Sequence, residues 1–154
     1  MSASDESRAH ILVLDDDELW LRSCVRRIRQ RGGRVTTFTM PEDALKALAE
    51  QRFALGMIDY HLGRGWTGAR FAEQARGLDV SCPPLILVSS ALEQVPMVER
   101  ARFRGAYPKA TPSMTLFDEV FATIAEASRR SPKSHRQLRA AEGPVGRKRY
   151  NTPK

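Results

Sequence analysis

Two apolar runs that each end in aspartate are the feature that most limits how this chain can fold. Residues 11–14 precede three consecutive aspartates, and residues 53–58 precede Asp59. Short, continuous apolar runs are typical of strands buried on both faces of a parallel sheet. The carboxyl ends of parallel strands meet at one edge of the sheet, so we expect Asp15, Asp16 and Asp59 to lie together. Clustered carboxylates repel one another, and the sequence therefore predicts a cation between them.

Strand and helix patterns alternate along residues 10–128. The predicted strands are residues 11–14, 34–38, 54–59, 85–88 and 105–107. A helix is predicted after each strand, the fourth at 95–104 and the last at 112–128. Thr39 and Glu42 predict a capping box at the start of the second helix. Five strand–helix units indicate an α/β fold, a five-stranded parallel, doubly wound sheet with helices on both faces.

Two further polar residues follow strands of this sheet. Ser89 ends the fourth strand, and Lys109 follows the short fifth one. A serine hydroxyl can hydrogen-bond a phosphoryl oxygen, and a lysine places a compact positive charge beside it. Mg²⁺ prefers carboxylates, water and phosphoryl oxygens, and a carboxylate beside it can attack phosphorus. The pattern therefore favours Mg²⁺-dependent phosphoryl chemistry at Asp59.

The net charge of +7 comes from one end of the chain. From Ser128 onwards there are nine Lys or Arg and one acid, which leaves 16 basic and 17 acidic residues before it. We therefore divide the chain into a flexible N-terminus (1–9), one domain (10–128) and a basic tail (129–154). The tail has too few large apolar side chains to order itself. It is either a solvated extension or a contact for an acidic partner, for anionic lipid or, without sequence preference, for nucleic acid.

The remaining composition indicates a cytoplasmic protein. No apolar stretch approaches the roughly 20 residues of a membrane span, and the N-terminus lacks the apolar region of a signal peptide. Cys24 and Cys82 have neither zinc-ligand spacing nor a disulfide pattern, as expected for ordinary thiols in a reducing compartment.

Four motifs, in this order, resemble those of the receiver domain of bacterial two-component response regulators. They are Ile-Leu-Val-Leu-Asp-Asp-Asp at 11–17, Met-Ile-Asp-Tyr-His-Leu at 57–62 with Thr67-Gly68, Leu-Ile-Leu-Val-Ser-Ser-Ala at 85–91, and Gly-Ala-Tyr-Pro-Lys at 105–109. The resemblance covers residues 1–127 and implies the flavodoxin-like receiver fold.

The resemblance also implies roles for the acidic residues. Asp59 matches the phosphoacceptor, which takes a phosphoryl group from the phosphohistidine of a histidine kinase or a histidine phosphotransfer protein. Asp15 and Asp16 match the pair that holds Mg²⁺, together with Asp59 and the backbone carbonyl of His61.

Ser89 and Lys109 match the hydroxyl and the lysine that contact the phosphoryl group. In this family, phosphorylation shifts the surface around the fourth helix, fifth strand and fifth helix, and so alters binding to a downstream protein partner. The resemblance therefore implies a signalling module of a phosphorelay and not an enzyme, apart from slow self-dephosphorylation.

The fifth strand departs from the family pattern. The segment 105–109 is about three residues shorter than usual, and Ala110 replaces the usual proline. The family's switch aromatic lies three residues before the lysine, whereas Tyr107 lies two before Lys109. Neighbouring strand residues face opposite sides, so we expect Tyr107 to point away from Ser89. An alternative follows, a receiver that does not switch and serves as a docking or scaffold protein.

An enzyme of similar fold class is a further alternative. Haloacid-dehalogenase-like phosphatases place an aspartate nucleophile after the first strand, in the pattern Asp-x-Asp-x-Thr. Residues 15–19 supply both aspartates, but Leu19 stands where the threonine belongs. In that alternative the nucleophile is Asp15 and not Asp59.

Overall fold

The computed structural model describes residues 8–130 of the 154-residue chain. The strands are β1 (His10–Leu14), β2 (Arg34–Phe38), β3 (Leu55–Asp59), β4 (His61–Gly63), β5 (Trp66–Thr67), β6 (Leu85–Ser89) and β7 (Gly105–Pro108). The helices are α1 (Glu18–Gln30), α2 (Pro41–Glu50), α3 (Gly68–Arg76), α4 (Met97–Arg100) and α5 (Ser113–Arg130). Helix α5 thus runs two residues beyond the expected domain boundary at 128. The rest of the predicted basic tail and most of the predicted flexible N-terminus lie outside the described residues.

Five parallel strands form the main sheet in the order β2-β1-β3-β6-β7, which confirms the predicted fold class. The chain leaves β1 for β2 on one side and later returns to place β3 on the other side. The strand order therefore reverses between β1 and β3, and a crevice opens at their carboxyl ends. Asp15 and Asp59 lie beside this crevice because they end or follow these two strands.

Helices cover both faces of the sheet, as the strand alternation requires. On one face Leu12 and Leu14 pack with the buried side chains of α2 and α3. On the other face Ile11 and Val13 pack with the apolar stripes of α1 and α5. Strands β1, β3 and β6 are almost wholly buried, and each buried aliphatic side chain contributes roughly 1.5–3 kcal/mol. The central strands are therefore a rigid base for the residues at their carboxyl ends.

The short fifth strand is confirmed and pairs along its whole length. Gly105 lies beside Ile86 in the ladder, and Pro108 lies beside Ser89. Proline is tolerated here because β7 is an edge strand and its missing N–H faces away from the ladder. The backbone N–H of Lys109 then donates to the Ser89 carbonyl at 2.9 Å, so the ladder places Lys109 at the same edge as Ser89.

The prediction of a helix at 95–104 is wrong in extent. A 3₁₀ turn at Leu92–Gln94 comes first, and α4 is a single turn, Met97–Arg100. Pro96 is the N-cap and cannot continue a helix from the preceding residues. The Arg100 guanidinium donates to the carbonyls of Val95 and Leu92 and so holds the turn against α4.

Two local features also differ from expectation. The capping box of Thr39 and Glu42 does not form, because Met40 is the N-cap of α2, no side chain caps the helix, and Pro41 begins it. The loop after β3 contains a two-stranded hairpin of β4 and β5. Its turn needs positive φ angles at three successive residues, and Gly63 and Gly65 adopt them without strain.

No helix within residues 8–130 is both long enough and apolar enough to cross a membrane.

Candidate functional site

The structure brings the three predicted carboxylates together at the carboxyl ends of β1 and β3. Oxygen atoms of Asp15, Asp16 and Asp59 all lie within 4.8 Å of one another. The exposed fraction is 1% for Asp15 and 6% for Asp59, whereas Asp16 is exposed. Two buried carboxylates and one exposed carboxylate therefore line a cleft that opens to solvent on the side of Asp16.

Lys109 supplies a positive charge at this cleft. Its Nζ lies 2.7 Å from Oδ2 of Asp15 and 3.7 Å from Oδ1 of Asp59. The ring of Trp20 lies against the same ammonium, with Nζ 5.4 Å from the ring centroid. A cation held over an aromatic face gains about 0.5–2 kcal/mol, depending on its desolvation. Lys109 is thus held from three sides, although it follows an edge strand.

The position of Asp15 is set by the turn that leads into α1. Its backbone N–H donates to the Phe38 carbonyl at 3.1 Å, which extends the β1–β2 ladder by one residue. The Asp17 N–H donates to Oδ1 of Asp15 at 2.9 Å. Asp17 itself is the N-cap of α1, and its side chain accepts from the N–H groups of Leu19 and Trp20. The third aspartate of the triple therefore starts the helix.

Burial and mutual repulsion dominate the electrostatics of the two inner carboxylates. Burial, together with the charge of Asp15, raises the pKa of Asp59 from 3.8 to about 7. Burial also raises the pKa of Asp15, against the hydrogen bond from Lys109. For Lys109, burial alone would lower the pKa, but the hydrogen bond and charge of Asp15 and the charge of Asp59 raise it overall. One ammonium does not offset three carboxylates, so this group of side chains fits a divalent cation.

Ser89 is fully buried at the end of β6. Its hydroxyl oxygen accepts a hydrogen bond from the backbone N–H of Ala91 at 3.2 Å. This contact is a local turn of the kind that serine commonly forms after a strand. The hydroxyl oxygen is thus held in its own turn, while its O–H remains a donor for another group.

His61 begins β4 and lies opposite Thr67 in the hairpin. Its ring is exposed and stands edge-on to Tyr60, with the ring centroids 4.9 Å apart. That its backbone carbonyl is a metal ligand stays a prediction.

The Thr67-Gly68 pair has a clear structural reason. The Thr67 hydroxyl caps α3 by accepting from the Arg70 N–H at 3.2 Å. The Gly68 N–H donates to the Tyr60 carbonyl at 2.7 Å. A Cβ added at Gly68 would lie 2.6 Å from the Asp59 carbonyl oxygen, closer than any side chain can approach. Glycine therefore lets α3 begin directly against the residue that carries the central carboxylate.

Tyr107 points towards α5, as expected from its register. Its ring packs with the core on the α1 and α5 face, and its hydroxyl reaches Glu119 at 3.5 Å. Ala106, three residues before Lys109, faces the opposite core and packs with the cluster that contains Phe103. A small side chain therefore occupies the position where the sequence resemblance implies a switch aromatic.

Sequence reasoning missed two side chains at the site. Trp20 covers the Lys109 ammonium, and the Tyr60 hydroxyl donates to Oε2 of Glu99 at 2.5 Å, which ties the residue after Asp59 to α4. The adjacency of Tyr60 to Asp59 is visible in the sequence, but its partner is 39 residues away. Such a pair is found only when the fold is known.

Comparison with solved structures identifies the fold. No model of a known protein family matches the sequence, and no curated protein matches it. Among solved structures, the chain resembles a CheY-like response regulator receiver domain protein from Methanospirillum hungatei, with 19% identity and a TM-score of 0.71. The match covers 80% of this chain and 98% of that one.

Two further structures resemble the chain. Response regulator TrrA from Thermotoga maritima, in complex with Mg²⁺ and BeF, has 19% identity and a TM-score of 0.67 over 75% of this chain and 98% of that one. A response regulator from Burkholderia pseudomallei with a phosphorylated aspartic acid and a calcium ion has 18% identity and a TM-score of 0.63. That match covers 89% of this chain and 76% of that one. At these identities the similarity establishes the fold, which is that of CheY-like receiver domains.

Proposed function

We propose that this protein is a phosphoacceptor receiver module of a two-component phosphorelay and that Asp59 is its phosphoacceptor. The observation that carries the proposal is the arrangement at the carboxyl ends of β1 and β3. There, buried Asp59 lies within 4.8 Å of two further carboxylates and 3.7 Å from the Lys109 ammonium. The receiver fold and the four sequence motifs support the same assignment.

The proposed step is a transfer of one phosphoryl group. A carboxylate oxygen of Asp59 attacks phosphorus, and the bond from phosphorus to the donor's imidazole nitrogen breaks, so that its electron pair stays on the imidazole. The product is an acyl phosphate on Asp59. Lys109 lies close enough to stabilise the negative charge on the transferred group. Asp59 must be deprotonated to attack; in the metal-free site burial raises its pKa to about 7, and a bound cation would favour the carboxylate form.

Mg²⁺ is the cofactor that this set of side chains fits. Asp15, Asp16 and Asp59 would hold it, together with the backbone carbonyl of His61. When bound, it would offset the repulsion among the carboxylates and the charge of the phosphoryl oxygens. The likeness to TrrA, described in complex with Mg²⁺ and BeF, supports this ion.

Phosphorylation would act on partner binding through a shift between two conformations. The Ser89 hydroxyl, whose oxygen accepts from the Ala91 N–H, would donate its O–H to a phosphoryl oxygen, and the segment after β6 would move with it. We place the protein in the cytoplasm, with a histidine kinase or a histidine phosphotransfer protein upstream and a protein partner downstream. The basic tail would add a salt-dependent contact with nucleic acid or an acidic partner. In this proposal the protein signals and is not an enzyme, apart from slow self-dephosphorylation.

A docking protein that binds without switching is the second candidate, and one observation favours it. Tyr107 is turned towards α5, and only Ala106 faces the opposite core. Both candidates share the Asp59 site, so they differ in whether phosphorylation changes the conformation. Hydrogen exchange of residues 89–108, measured with and without the phosphoryl group, separates them.

Intact-protein mass spectrometry with a small phosphodonor such as acetyl phosphate tests the function. With Mg²⁺ the chain should gain one phosphoryl group that is sensitive to hydroxylamine, and Asp59→Asn should gain none. Chelation of Mg²⁺ should abolish the gain. An unchanged mass in the intact wild-type chain would contradict a working receiver.

The phosphatase alternative predicts a different pattern of loss. Its nucleophile would be Asp15, so Asp59→Asn would still form the covalent adduct and Asp15→Asn would not. A peptide map that places the phosphoryl group on Asp15 would replace our proposal with that enzyme. A map that places it on Asp59 would exclude the phosphatase mechanism.

A further inference from the structure

A groove of about 850 Å³ runs between α1 and β2, on the flank of the sheet. Three arginines of α1 line it, Arg22, Arg26 and Arg29. They lie at positions i, i+4 and i+7 of the helix and so share one flank over about two turns. All three are exposed. The groove therefore has a continuous cationic rim.

These arginines have no acidic partner within residues 8–130, where other arginines do. Arg31, just past the same helix, pairs with Asp118 at 2.6 Å, and Arg104 pairs with Glu126 at 3.1 Å. None of the six ion pairs in the described part of the chain includes a rim arginine. Like charges at i, i+3 and i, i+4 repel one another and destabilise a helix. The free protein thus carries a local repulsion that a negatively charged partner would relieve.

The floor and one end of the groove narrow the choice of partner. Leu21 and the half-buried Val25 form an apolar floor between the arginines and the sheet. Glu18 lies at the opposite end of the rim from Arg29, and its carboxylate makes that end negative. A uniform polyanion such as a nucleic acid strand would meet this carboxylate and leave the apolar floor wet. The charges of the groove are instead complementary to a partner segment with several acidic residues followed by one basic residue.

We propose that this groove docks an acidic amphipathic helix of a partner protein, antiparallel to α1. Carboxylates at i, i+3 and i+7 of the partner pair with Arg29, Arg26 and Arg22, and a basic residue one turn further pairs with Glu18. Apolar residues beside the carboxylates cover the floor. This order puts the partner's acids at its own N-terminal end and its base at its C-terminal end, as helix dipoles favour. Docking here goes beyond the phosphoacceptor role and does not require Asp59.

A designed peptide tests the groove in the full chain. The probe is a helix-stabilised peptide of about 18 residues, five turns, with glutamates, leucines and one lysine in the order given. Binding is measured by fluorescence anisotropy against a charge-reversed peptide of the same length. A single-stranded oligonucleotide and vesicles of anionic lipid are measured in parallel, because they represent the other sources of negative charge.

Two triple variants of equal charge locate the binding. Arg22→Gln with Arg26→Gln and Arg29→Gln removes the rim. Lys46→Gln with Arg52→Gln and Arg64→Gln is the matched control, because those residues are also exposed and line no part of the groove. Circular dichroism and phosphorylation at Asp59 are recorded for both variants. If the wild type does not become phosphorylated at all, that result counts against the proposed function and leaves the docking result unaffected.

The expected result is that the acidic peptide binds about tenfold or more tightly than the charge-reversed one and loses about tenfold in the rim variant only. Three outcomes would overturn the proposal. They are equal loss in both variants, tighter binding of the oligonucleotide or vesicles that depends on the rim, and no binding of the acidic peptide at about 1 mM.

Discussion

The two ends of α1 hold their charges in opposite ways. At its N-terminal end, Asp15, Asp59 and Lys109 are mostly buried and share an ion-pair network. Along the rest of the helix, Arg22, Arg26 and Arg29 are exposed and have no acidic partner in the described residues. Burial makes each charge at the site depend on its neighbours, because the surroundings screen little. Exposure leaves the rim charges with only a weak, salt-screened repulsion and available to a partner.

This comparison predicts that charge changes matter most where charges are buried. The change in the free energy of unfolding should be largest at the buried site, smaller at its half-buried border and smallest at the exposed rim.

The largest effect should come from Lys109→Met in the absence of divalent metal. The substitution leaves Asp15 and Asp59 without their cation, and removing one partner of a buried ion pair costs about 3–5 kcal/mol. Urea denaturation at pH 8 measures the loss. Lys46→Met is the control, since Lys46 is exposed and should change stability by less than about 0.5 kcal/mol. Equal losses at the two lysines would remove the contrast.

The next effect should be a gain in stability from Asp59→Asn in metal-free buffer. The pKa of Asp59 is raised in the folded state, so the folded protein binds more protons than the unfolded chain between about pH 4 and 7, and stability falls as pH rises through that range. A shift from 3.8 to about 7 corresponds to roughly 4 kcal/mol, and with screening at the cleft we expect about 2 kcal/mol at pH 8.

The gain from Asp59→Asn should disappear below about pH 4, where the carboxyl group is protonated in both states. Saturating Mg²⁺ should reverse the order of stability, because the wild-type carboxylate then gains a ligand. Asp43→Asn, at an exposed acid at the start of α2, is the matched control and should change stability by less than about 0.5 kcal/mol. A gain that is independent of pH would show that charge burial is not its cause.

An intermediate effect is expected at the half-buried border of the site. Tyr60→Phe removes the hydrogen bond to Glu99 and should cost about 1–2 kcal/mol, because the acceptor is charged. It should also speed hydrogen exchange in α4. Tyr107→Phe is the matched control, since its 3.5 Å contact with Glu119 is long and exposed and should contribute almost nothing. Equal costs for the two tyrosines would mean that burial does not set the strength of these contacts.

The smallest effect should appear at the rim, with the opposite sign. Arg26→Gln relieves repulsion from Arg22 and Arg29 and should stabilise the protein by about 0.2–0.5 kcal/mol at low ionic strength. The gain should fade as salt is raised, because these charges are exposed. Arg31→Gln, which breaks the pair with Asp118, should instead lose a few tenths of a kcal/mol. A stability loss in Arg26→Gln would mean that the arginine has a partner in the free protein.

Much of the fold and the acidic part of the site could be predicted from the sequence. Buried strands read as continuous apolar runs, and in a parallel sheet their ends meet, so Asp15 and Asp59 could be placed together from pattern alone. The role of Asp17 as a helix cap is of a kind that a local pattern can indicate, because it depends only on residues within one turn.

Features that depend on distant partners were out of reach. The helix predicted at 95–104 was too long, because the structure has a single turn after Pro96, where the Arg100 guanidinium donates to the preceding carbonyls. The capping box is a local exception, and it did not form because Met40 is the N-cap and Pro41 begins α2. The cover of Trp20 over Lys109 joins residues 89 positions apart, and no local pattern indicates it.

The glycine at the start of α3 has a consequence for how this protein tolerates substitution. Gly68 carries no functional group, yet a methyl group there would collide with the backbone of Asp59. In a scan of every possible replacement at every position, residue 68 should therefore reject even alanine. Asp16 contributes a carboxylate but faces solvent, so more replacements at Asp16 than at Gly68 should leave the folded state stable. Intolerance measured at a position would here report the nearness of two backbones and not the chemistry of a side chain.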